Sequence, residues 1–453
     1  MLKNLIKDLR PSSTLAINET SKQLEQQGKK IFKFGFGQSP FKVPKDVVEE
    51  LKSNAYQNKY LPMQGLEELR EAVAKYSSKK KNYNYKANNV IIGPGSKELM
   101  FLLHVIFDGE IILPAPSWVS YAPQAILGRN KIQILQTERE NNWFPTGAQI
   151  EKIISKDKDK NYLLFLNSPN NPSGQVCNKL EEISEIAKKY NLIILSDEIY
   201  SELTFSQNFK SISSYCPEKT IISTGLSKWC GAGGWRLGYF IIPDELNNIK
   251  NMINVLASET FSAVSAPIQY AAIKAYENDH SNYITKSVNI LSAVGKYVFS
   301  NLKSNKVLIN EPQGGFYLMP EFLNNKFKTS SEMCKDILNN TGVALLPGSD
   351  FGFNPDKMLA RLSFTDFDGQ EFMNNIDENK KIITNELPKL CVETKMTFPS
   401  VRNPRNKSII CSSVCTSIPV NGSSSKITWL SCANALARKT RFFWPPESSF
   451  IWR

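Results

Sequence analysis

Short apolar runs that alternate with helical stretches constrain the fold of this chain more than any other feature. The runs YLLFLN (162–167), LIILSDE (192–198) and TIISTG (220–225) are typical of buried strands. Between the first two, the segment KLEEISEIAKKY repeats its apolar residues at helical spacing. A strand, a helix and another strand in this order predict a mostly parallel sheet covered by helices, which is an α/β fold.

Two turns of the same pattern are candidate ligand sites. The segment NVIIGPGSKELMFLLHVIF (89–107) predicts a strand, a glycine-containing turn and a helix, and EIILPAPSWVSYA (110–122) predicts a strand that ends at prolines. Both turns follow the carboxyl end of a strand, which is where open α/β sheets bind ligands.

After about residue 285 the alternation weakens toward an α+β pattern. Strands are predicted in KVLINEPQGGFYLMP (306–320) and ARLSFTD (360–366), around a helix in SSEMCKDILNNTG (330–342). Because 453 residues exceed what one core usually holds, this region is interpreted as a second domain. Residues 391–453 are serine-rich and basic without a sustained period, and they predict a poorly ordered tail.

Charge and composition exclude several classes of protein. The net charge is +12, but seven of these charges belong to residues 391–453, so the remainder favours small anionic ligands over nucleic acid. No apolar run approaches the roughly 20 residues that span a bilayer, and the start of the chain lacks a signal-like apolar stretch, so a cytoplasmic protein is expected. The eight cysteines and two histidines are scattered, and no metal site is predicted.

The segment STGLSKWCGAGGWRLGY (223–239) contains the most informative residue, Lys228. At the carboxyl end of a buried strand, partial desolvation lowers the pKa of an amine toward the value that a nucleophile needs. Ser227-Lys228, the glycines and Arg236-Leu237-Gly238 together resemble the cofactor-lysine motif of class I/II aminotransferases. Further motifs of that family follow in order across about residues 10–390. The resemblance implies pyridoxal 5'-phosphate bound to Lys228, with Ser227 and Arg236 near its phosphate.

The other cofactor residues come from the same resemblance. LSDEIYSEL (195–203) is similar to the family's Asp-x-x-Tyr motif, which implies that Asp197 meets the pyridine nitrogen. Tyr200 and Asn171 then share the phenolic oxygen. A carboxylate at that nitrogen keeps it protonated, and a protonated ring is the electron sink for carbanion chemistry.

A second group of residues is expected at the phosphate and over the ring. Gly95, Ser96 and Lys97 resemble the phosphate loop, where backbone N–H groups at a helix start suit an anion. Trp118 resembles the aromatic residue that stacks on the ring. Tyr60 matches a tyrosine that reaches the neighbouring subunit's phosphate, which implies a homodimer. One departure is Gly225, which stands where many relatives have a phosphate-binding serine.

The substrate residues complete the resemblance. ARLSFTD is similar to the strand whose arginine grips the substrate α-carboxylate, which implies that role for Arg361. FGFGQSPFKVP (34–44) resembles the closing glycine loop, with Gly37 near the same carboxylate, while Trp118 and Asn171 also line the substrate. The implied domains are residues 45–285, which bind the cofactor, and residues 1–44 with 286–390, which close over the substrate.

The implied function is transfer of an amino group from an L-amino acid to a 2-keto acid by a ping-pong mechanism. Lys97 favours an acidic donor such as aspartate, since a lysine in this loop meets the distal carboxylate in one branch of the family. Trp118 and Tyr121 could equally line a pocket for aromatic or neutral donors. A β-lyase or a cyclopropane-forming synthase on the same scaffold would use nearly the same residues. A sensor domain of a transcription regulator would need a DNA-binding module, and this sequence shows no pattern typical of one. A nicotinamide dehydrogenase would need a GxGxxG loop, which is not found here.

Overall fold

The computed structural model describes residue 9 and residues 11–81, 83–206, 209–323 and 326–375. The helices in these ranges are α1 (Ser13–Gln26), α2 (Lys45–Ser53), α3 (Glu67–Lys81), α4 (Ser96–Ile106), α5 (Tyr121–Leu127), α6 (Gly147–Ile154), α7 (Leu180–Tyr190), α8 (Asn247–Glu259), α9 (Ala266–Glu277), α10 (Ser281–Leu302), α11 (Ser330–Thr341) and α12 (Gly369–Asn375). The strands are β1 (Val90–Gly93), β2 (Glu110–Ala115), β3 (Lys131–Gln136), β4 (Tyr162–Asn167), β5 (Ile193–Asp197), β6 (Thr220–Gly225), β7 (Gly238–Ile241), β8 (Val307–Leu308), β9 (Tyr317–Leu318), β10 (Glu321–Phe322), β11 (Leu346–Pro347) and β12 (Ala360–Ser363).

One seven-stranded sheet forms the centre of the molecule, in the order β1-β7-β6-β5-β4-β2-β3. Strands β3, β2, β4, β5 and β6 are parallel, whereas β7 is antiparallel to both β6 and β1. This arrangement confirms the predicted α/β class with a mostly parallel sheet. Strands β4 and β6 have the predicted bounds, and β5 is one residue shorter at each end than its apolar run.

Helices cover both faces of the sheet, and alternate residues of each strand face opposite layers. Leu163 and Phe165 pack in the layer that contains buried residues of α4, α5 and α8. Leu164 and Leu166 pack against buried residues of α6 and α7. Because both faces of β4 are buried, its sequence is a continuous apolar run, as expected for a parallel strand.

The last part of the described chain is more irregular than its sequence predicts. Only β8 and β9 form within residues 306–320, since Pro312 and the pair Gly314-Gly315 lie between them. Strand β12 ends at Ser363, so the predicted strand over 360–366 is too long at its carboxyl end. The predicted helix is confirmed as α11, and Gly342 follows it with a φ of 75°.

Both ends of the described chain meet at a small antiparallel sheet of order β11-β12-β9. Phe32 forms a parallel bridge with Val343, and the Ser363 N–H donates to the Phe34 carbonyl at 2.7 Å. The domain bounds stay a prediction, and the tail at 391–453 lies outside the described residues. In the part of the chain that the structure describes, no helix has the length and apolar character needed to cross a membrane.

Candidate active site

The carboxyl ends of β4, β5 and β6 bring the first site residues together. Asn167 and Asp197 are partners in the β4–β5 register, and Asp197 and Ser223 are partners between β5 and β6. Lys228 lies three residues beyond the end of β6, on the loop that follows. Parallel strands end at one edge of the sheet, and this edge therefore gathers residues that are distant in sequence.

Asp197 is a buried carboxylate with two hydrogen-bond donors. Its Oδ2 accepts from the Tyr121 hydroxyl at 2.6 Å, and its Oδ1 accepts from the Ile199 N–H at 3.3 Å. Burial raises the pKa of Asp197 to about 6, while these hydrogen bonds and the Lys228 ammonium act in the opposite direction. The carboxylate therefore stays ionised above about pH 6 because Tyr121 holds it.

Lys228 is half-buried among aromatic rings. Its Nζ donates to the Gly37 carbonyl at 3.0 Å and lies 5.5 Å from the Tyr200 ring centroid and 5.4 Å from that of Phe316. Burial lowers the pKa of Lys228 to about 8, and the nearby guanidinium of Arg361 adds to the effect. An amine with this pKa is available as a nucleophile and base near neutral pH.

Tyr200 lies just beyond β5 and is paired with a second tyrosine. The two hydroxyls of Tyr200 and Tyr317 are 3.0 Å apart, and both side chains are buried. The Tyr317 ring also contacts the amino-terminal glycine segment, since a Cβ built on Gly37 would overlap its hydroxyl. The predicted residues Tyr200 and Gly37 thus meet through a residue that the sequence interpretation did not include.

The predicted phosphate residues also lie together. Gly95 has a φ of 85° and precedes Ser96, the first residue of α4. The Arg236 guanidinium lies against Gly95, where a Cβ would overlap its Nη2, and Arg236 donates to the Gly233 carbonyl at 2.9 Å. A helix start with N–H groups beside a guanidinium is suited to a phosphate dianion.

Gly225, which stands where many relatives have a serine, lies at a position with no room for a side chain. A Cβ at Gly225 would lie 2.7 Å from the Cα of Gly238, so the close approach of β6 and β7 leaves no room for a side chain there. Two serines remain nearby as possible donors. Ser223 is buried, and its hydroxyl has no hydrogen-bond partner among the residues that the structure describes, whereas Ser227 is half-buried.

Arg361 is a buried cation with neutral partners. Its Nη1 donates to Asn171 Oδ1 at 3.0 Å and its Nη2 to the Gly35 carbonyl at 2.6 Å, while its Nε has no partner in the described part of the chain. Its Cζ lies 4.8 Å from the Tyr317 ring centroid and 5.3 Å from that of Phe351. The guanidinium is therefore held in one place by two hydrogen bonds and two rings, with donor capacity left over.

Lys97 and Trp118 form the wall next to the phosphate loop. The Lys97 Nζ lies 5.2 Å from the Trp118 ring centroid, and Trp118 meets Tyr121 edge to face at 5.4 Å. Burial lowers the pKa of Lys97, and the Arg236 guanidinium lowers it further. Tyr60 is separate from this cluster, with 95% of its surface exposed.

Asn167 and Tyr317 contact predicted site residues directly but were missing from the sequence-based set, and Tyr121 was expected there only as a residue of the donor pocket. The Asn167 amide donates to the Asp197 carbonyl at 2.9 Å, and its Oδ1 accepts from the Asn171 N–H at 2.7 Å. Local sequence features could have indicated both residues, because Asn167 ends the apolar run of β4 and Tyr317 lies just after the pair Gly314-Gly315.

A half-buried lysine with a lowered pKa, a buried carboxylate and two arginines lie close together here, a combination typical of enzyme sites that bind anionic ligands. Comparison with known proteins gives the family. Residues 29–374 match the family model for aminotransferase class I and II. The aspartate aminotransferase of Bacillus sp. (strain YM-2) is 32% identical over 369 residues, which cover 78% of this chain and 92% of that protein. That of Thermotoga maritima is 31% identical over 373 residues, covering 80% and 94%.

Solved structures agree with this result. An aspartate aminotransferase from Thermus thermophilus with maleate has a TM-score of 0.75 and 25% identity, over 83% of this chain and 97% of that one. An alanine aminotransferase from Pyrococcus furiosus has a TM-score of 0.75 and 27% identity, over 81% and 95%. The chain belongs to the aminotransferase class I and II family, and it is a transaminase.

Proposed function

We propose that this transaminase holds pyridoxal phosphate on Lys228 and takes an acidic amino acid, such as aspartate, as its preferred amino donor. The observation that carries the proposal is the setting of the Lys228 amine. The pKa of this amine is lowered to about 8. Lys228 lies on the loop after β6, at the same edge of the sheet where β5 ends with Asp197. A lysine in such a setting can form a Schiff base with an aldehyde.

The residues present fit this cofactor. The Gly95 turn has no side chain where the Arg236 guanidinium lies, and the N–H groups at the start of α4 suit the phosphate. Asp197 is the carboxylate for the pyridine nitrogen, and the unpartnered Ser223 hydroxyl is buried in the neighbouring strand. Tyr200 offers a hydroxyl for the phenolic oxygen.

When bound, pyridoxal phosphate supplies an electron sink that stabilises negative charge at the substrate Cα. Arg361 binds the substrate α-carboxylate and so orients the Cα–H bond. The Lys228 amine then takes the proton from Cα. With a pKa of about 8, a substantial fraction of this amine is unprotonated near neutral pH and can act as a base. Asp197 is ionised above about pH 6, and its negative charge would keep the pyridine nitrogen of the cofactor protonated.

The proposed donor follows from Lys97 and from the relatives. Lys97 lies beside Trp118 at the wall of the site, where a cation can meet a distal carboxylate. Several relatives are named aspartate aminotransferase. A neutral or aromatic donor is the second candidate, because Trp118 and Tyr121 meet edge to face beside the same position and one similar structure is an alanine aminotransferase.

We further propose a cytoplasmic homodimer in which Tyr60 reaches the phosphate of the neighbouring subunit. Tyr60 and Tyr56 are 95% and 74% exposed, and Met63 nearby is 43% exposed. Such exposure of large side chains favours a protein interface. Residues 45–285 would form the cofactor domain, with 1–44 and 286–390 as the closing domain.

Borohydride trapping tests the cofactor assignment. Reduction of the yellow holoenzyme should fix the cofactor on Lys228, as read by peptide mass. Lys228→Ala should lower kcat by several orders of magnitude, because it removes both nucleophile and base. Lys219→Ala is the matched control, since Lys219 is also half-buried but precedes β6 at the opposite edge of the sheet. Unchanged turnover in Lys228→Ala would overturn the assignment.

A donor panel tests the specificity. Aspartate, glutamate, alanine and phenylalanine are each offered with 2-oxoglutarate, oxaloacetate and pyruvate as acceptors. The proposal expects aspartate to have the highest kcat/KM among the donors. A β-lyase would instead pass no amine from these donors to a keto acid, and it would release ammonia only from an amino acid that has a leaving group on Cβ.

A further inference from the structure

Tyr317 contacts three of the residues that the sequence motifs had indicated. Its hydroxyl lies 3.0 Å from the Tyr200 hydroxyl, and the Arg361 Cζ lies 4.8 Å from its ring centroid. Gly37 packs on the hydroxyl edge of the ring. Both tyrosines are almost fully buried, at 3% and 1% exposure, so water does not replace these contacts.

The pairing of the two hydroxyls has a directional consequence. A phenol has one proton to donate, and it can accept a hydrogen bond at the same time. If Tyr200 donates to Tyr317, it has no proton left for a ligand in the site. If Tyr317 donates to Tyr200, the Tyr200 proton is free to point into the site.

We propose that Tyr317 is a positioning residue with two separable effects. Its hydroxyl donates to Tyr200 and directs the Tyr200 proton at the cofactor's phenolic oxygen, while its ring supports Arg361. The inference rests on the proposed function, because it assigns the phenolic oxygen to Tyr200. A hydroxyl that accepts one hydrogen bond becomes a stronger donor in a second one. The Tyr317 hydroxyl would therefore strengthen the hydrogen bond from Tyr200 to the cofactor without touching the cofactor itself.

The location of Tyr317 explains how one residue serves both groups. Tyr317 begins β9 and pairs with Ser363 of β12, so its ring lies next to the strand that carries Arg361. Phe316, its neighbour, packs edge to face on Tyr200 at 5.4 Å. The Gly315 Cα also lies beside the Tyr200 ring, because a Cβ built there would lie 3.4 Å from it. The segment 315–317 therefore fixes Tyr200 from one side.

Spectroscopic titration of the full-length holoenzyme tests the hydroxyl. The visible absorption of lysine-bound pyridoxal phosphate depends on its protonation, and hydrogen bonds to the phenolic oxygen tune the pH midpoint. Tyr317→Phe should raise this midpoint by roughly 0.3 to 1 pH unit, the shift that one hydrogen bond between neutral groups produces. Tyr162→Phe is the matched control, because Tyr162 is also buried but lies at the opposite end of β4.

A double-mutant cycle tests whether the effect passes through Tyr200. In a Tyr200→Phe background, Tyr317→Phe should leave the midpoint where it is. The ring is tested by Tyr317→Leu, which should raise KM for the amino donor, whereas Tyr317→Phe should change that KM less than about twofold because it keeps the ring under Arg361.

An unchanged midpoint in Tyr317→Phe would overturn the proposal for the hydroxyl, and so would an equal shift in the Tyr200→Phe background. An equal KM for Tyr317→Leu and Tyr317→Phe would overturn the proposal for the ring. These failures differ from failure of the proposed function, in which borohydride would leave Lys228 unlabelled in the unaltered protein.

Discussion

Replacing Tyr121 with phenylalanine should move the acid limb of the pH–activity profile upward. The Tyr121 hydroxyl donates to Asp197 Oδ2 at 2.6 Å, which is the length of a charge-assisted bond between buried groups. Such a bond favours the ionised carboxylate by about 1.5–3 kcal/mol, which corresponds to roughly one to two pKa units. The pKa of Asp197 is already raised to about 6 by burial, so losing the bond raises it further.

The assay is kcat/KM measured from pH 5 to pH 9 for a fixed donor. Activity that needs the Asp197 carboxylate is lost as pH falls through its pKa, so the acid limb in Tyr121→Phe should appear roughly one to two pH units higher. The ring of Tyr121 also packs on Phe165 and Trp118, and phenylalanine keeps both contacts. An acid limb at the same pH in both proteins would refute the reasoning, because the hydrogen bond would then have no influence on the carboxylate.

Three further changes test other parts of the structure. Lys97→Ala should lower kcat/KM for aspartate by roughly tenfold to a hundredfold and leave alanine unaffected, since one charge-assisted contact is lost; an equal loss for every donor would assign Lys97 to the cofactor instead. His104→Phe should flatten the dependence of unfolding free energy on pH. Burial lowers the pKa of His104 to about 4 in the folded protein, whereas an unfolded histidine titrates near 6.5. As pH falls from about 6.5 toward 4, only the unfolded chain gains the proton, and the folded protein loses up to about 3 kcal/mol of stability. Chemical denaturation of both proteins at pH 7 and pH 5 measures that difference, and parallel losses would contradict it. A chain ending at Leu390 should keep its kcat, and loss of cofactor binding in the folded shorter protein would show that residues 391–453 contribute to the site.

The sequence predicts β4, β5 and β6 of the central sheet well because these strands are buried, whereas β7 and the more exposed β3 were not predicted. Strand β4 is a continuous apolar run that ends where the sequence becomes polar, so composition alone locates it, and β6 is marked by its β-branched residues and the glycine at its end. Strands β8 and β9 contain two residues each, and a pattern of period two needs a longer run to be recognised. The exposed and buried sides of such short strands are decided by tertiary contacts.

The site was predictable only where short motifs carry it. Lys228, Asp197 and Arg236 belong to local patterns that a sequence comparison can recognise. The contact of Tyr200 with Tyr317 spans 117 positions and that of Tyr121 with Asp197 spans 76, and no local rule gives the distance between such residues. The fold creates both contacts by bringing loops at the sheet edge toward β9 and α5.

The surroundings of Arg361 suit it to the proposed role of binding a substrate carboxylate. Within the described part of the chain, its hydrogen-bond partners are the Asn171 amide oxygen and the Gly35 carbonyl, neither of which carries a charge. Burial of a cation without a paired anion costs free energy, and burial accordingly lowers the pKa of Arg361. Asp350 acts on the guanidinium electrostatically, but a bound carboxylate would be a directly hydrogen-bonded anion and could use the Nε, which has no partner among the described residues. Because Gly35 lies two residues before Gly37, whose carbonyl accepts from Lys228, a carboxylate bound at Arg361 would lie where the amino-terminal segment already meets the Lys228 amine. In the proposed function, carboxylate binding at Arg361 would therefore be linked to the position of that segment, and the free energy of binding would stabilise the segment over the site.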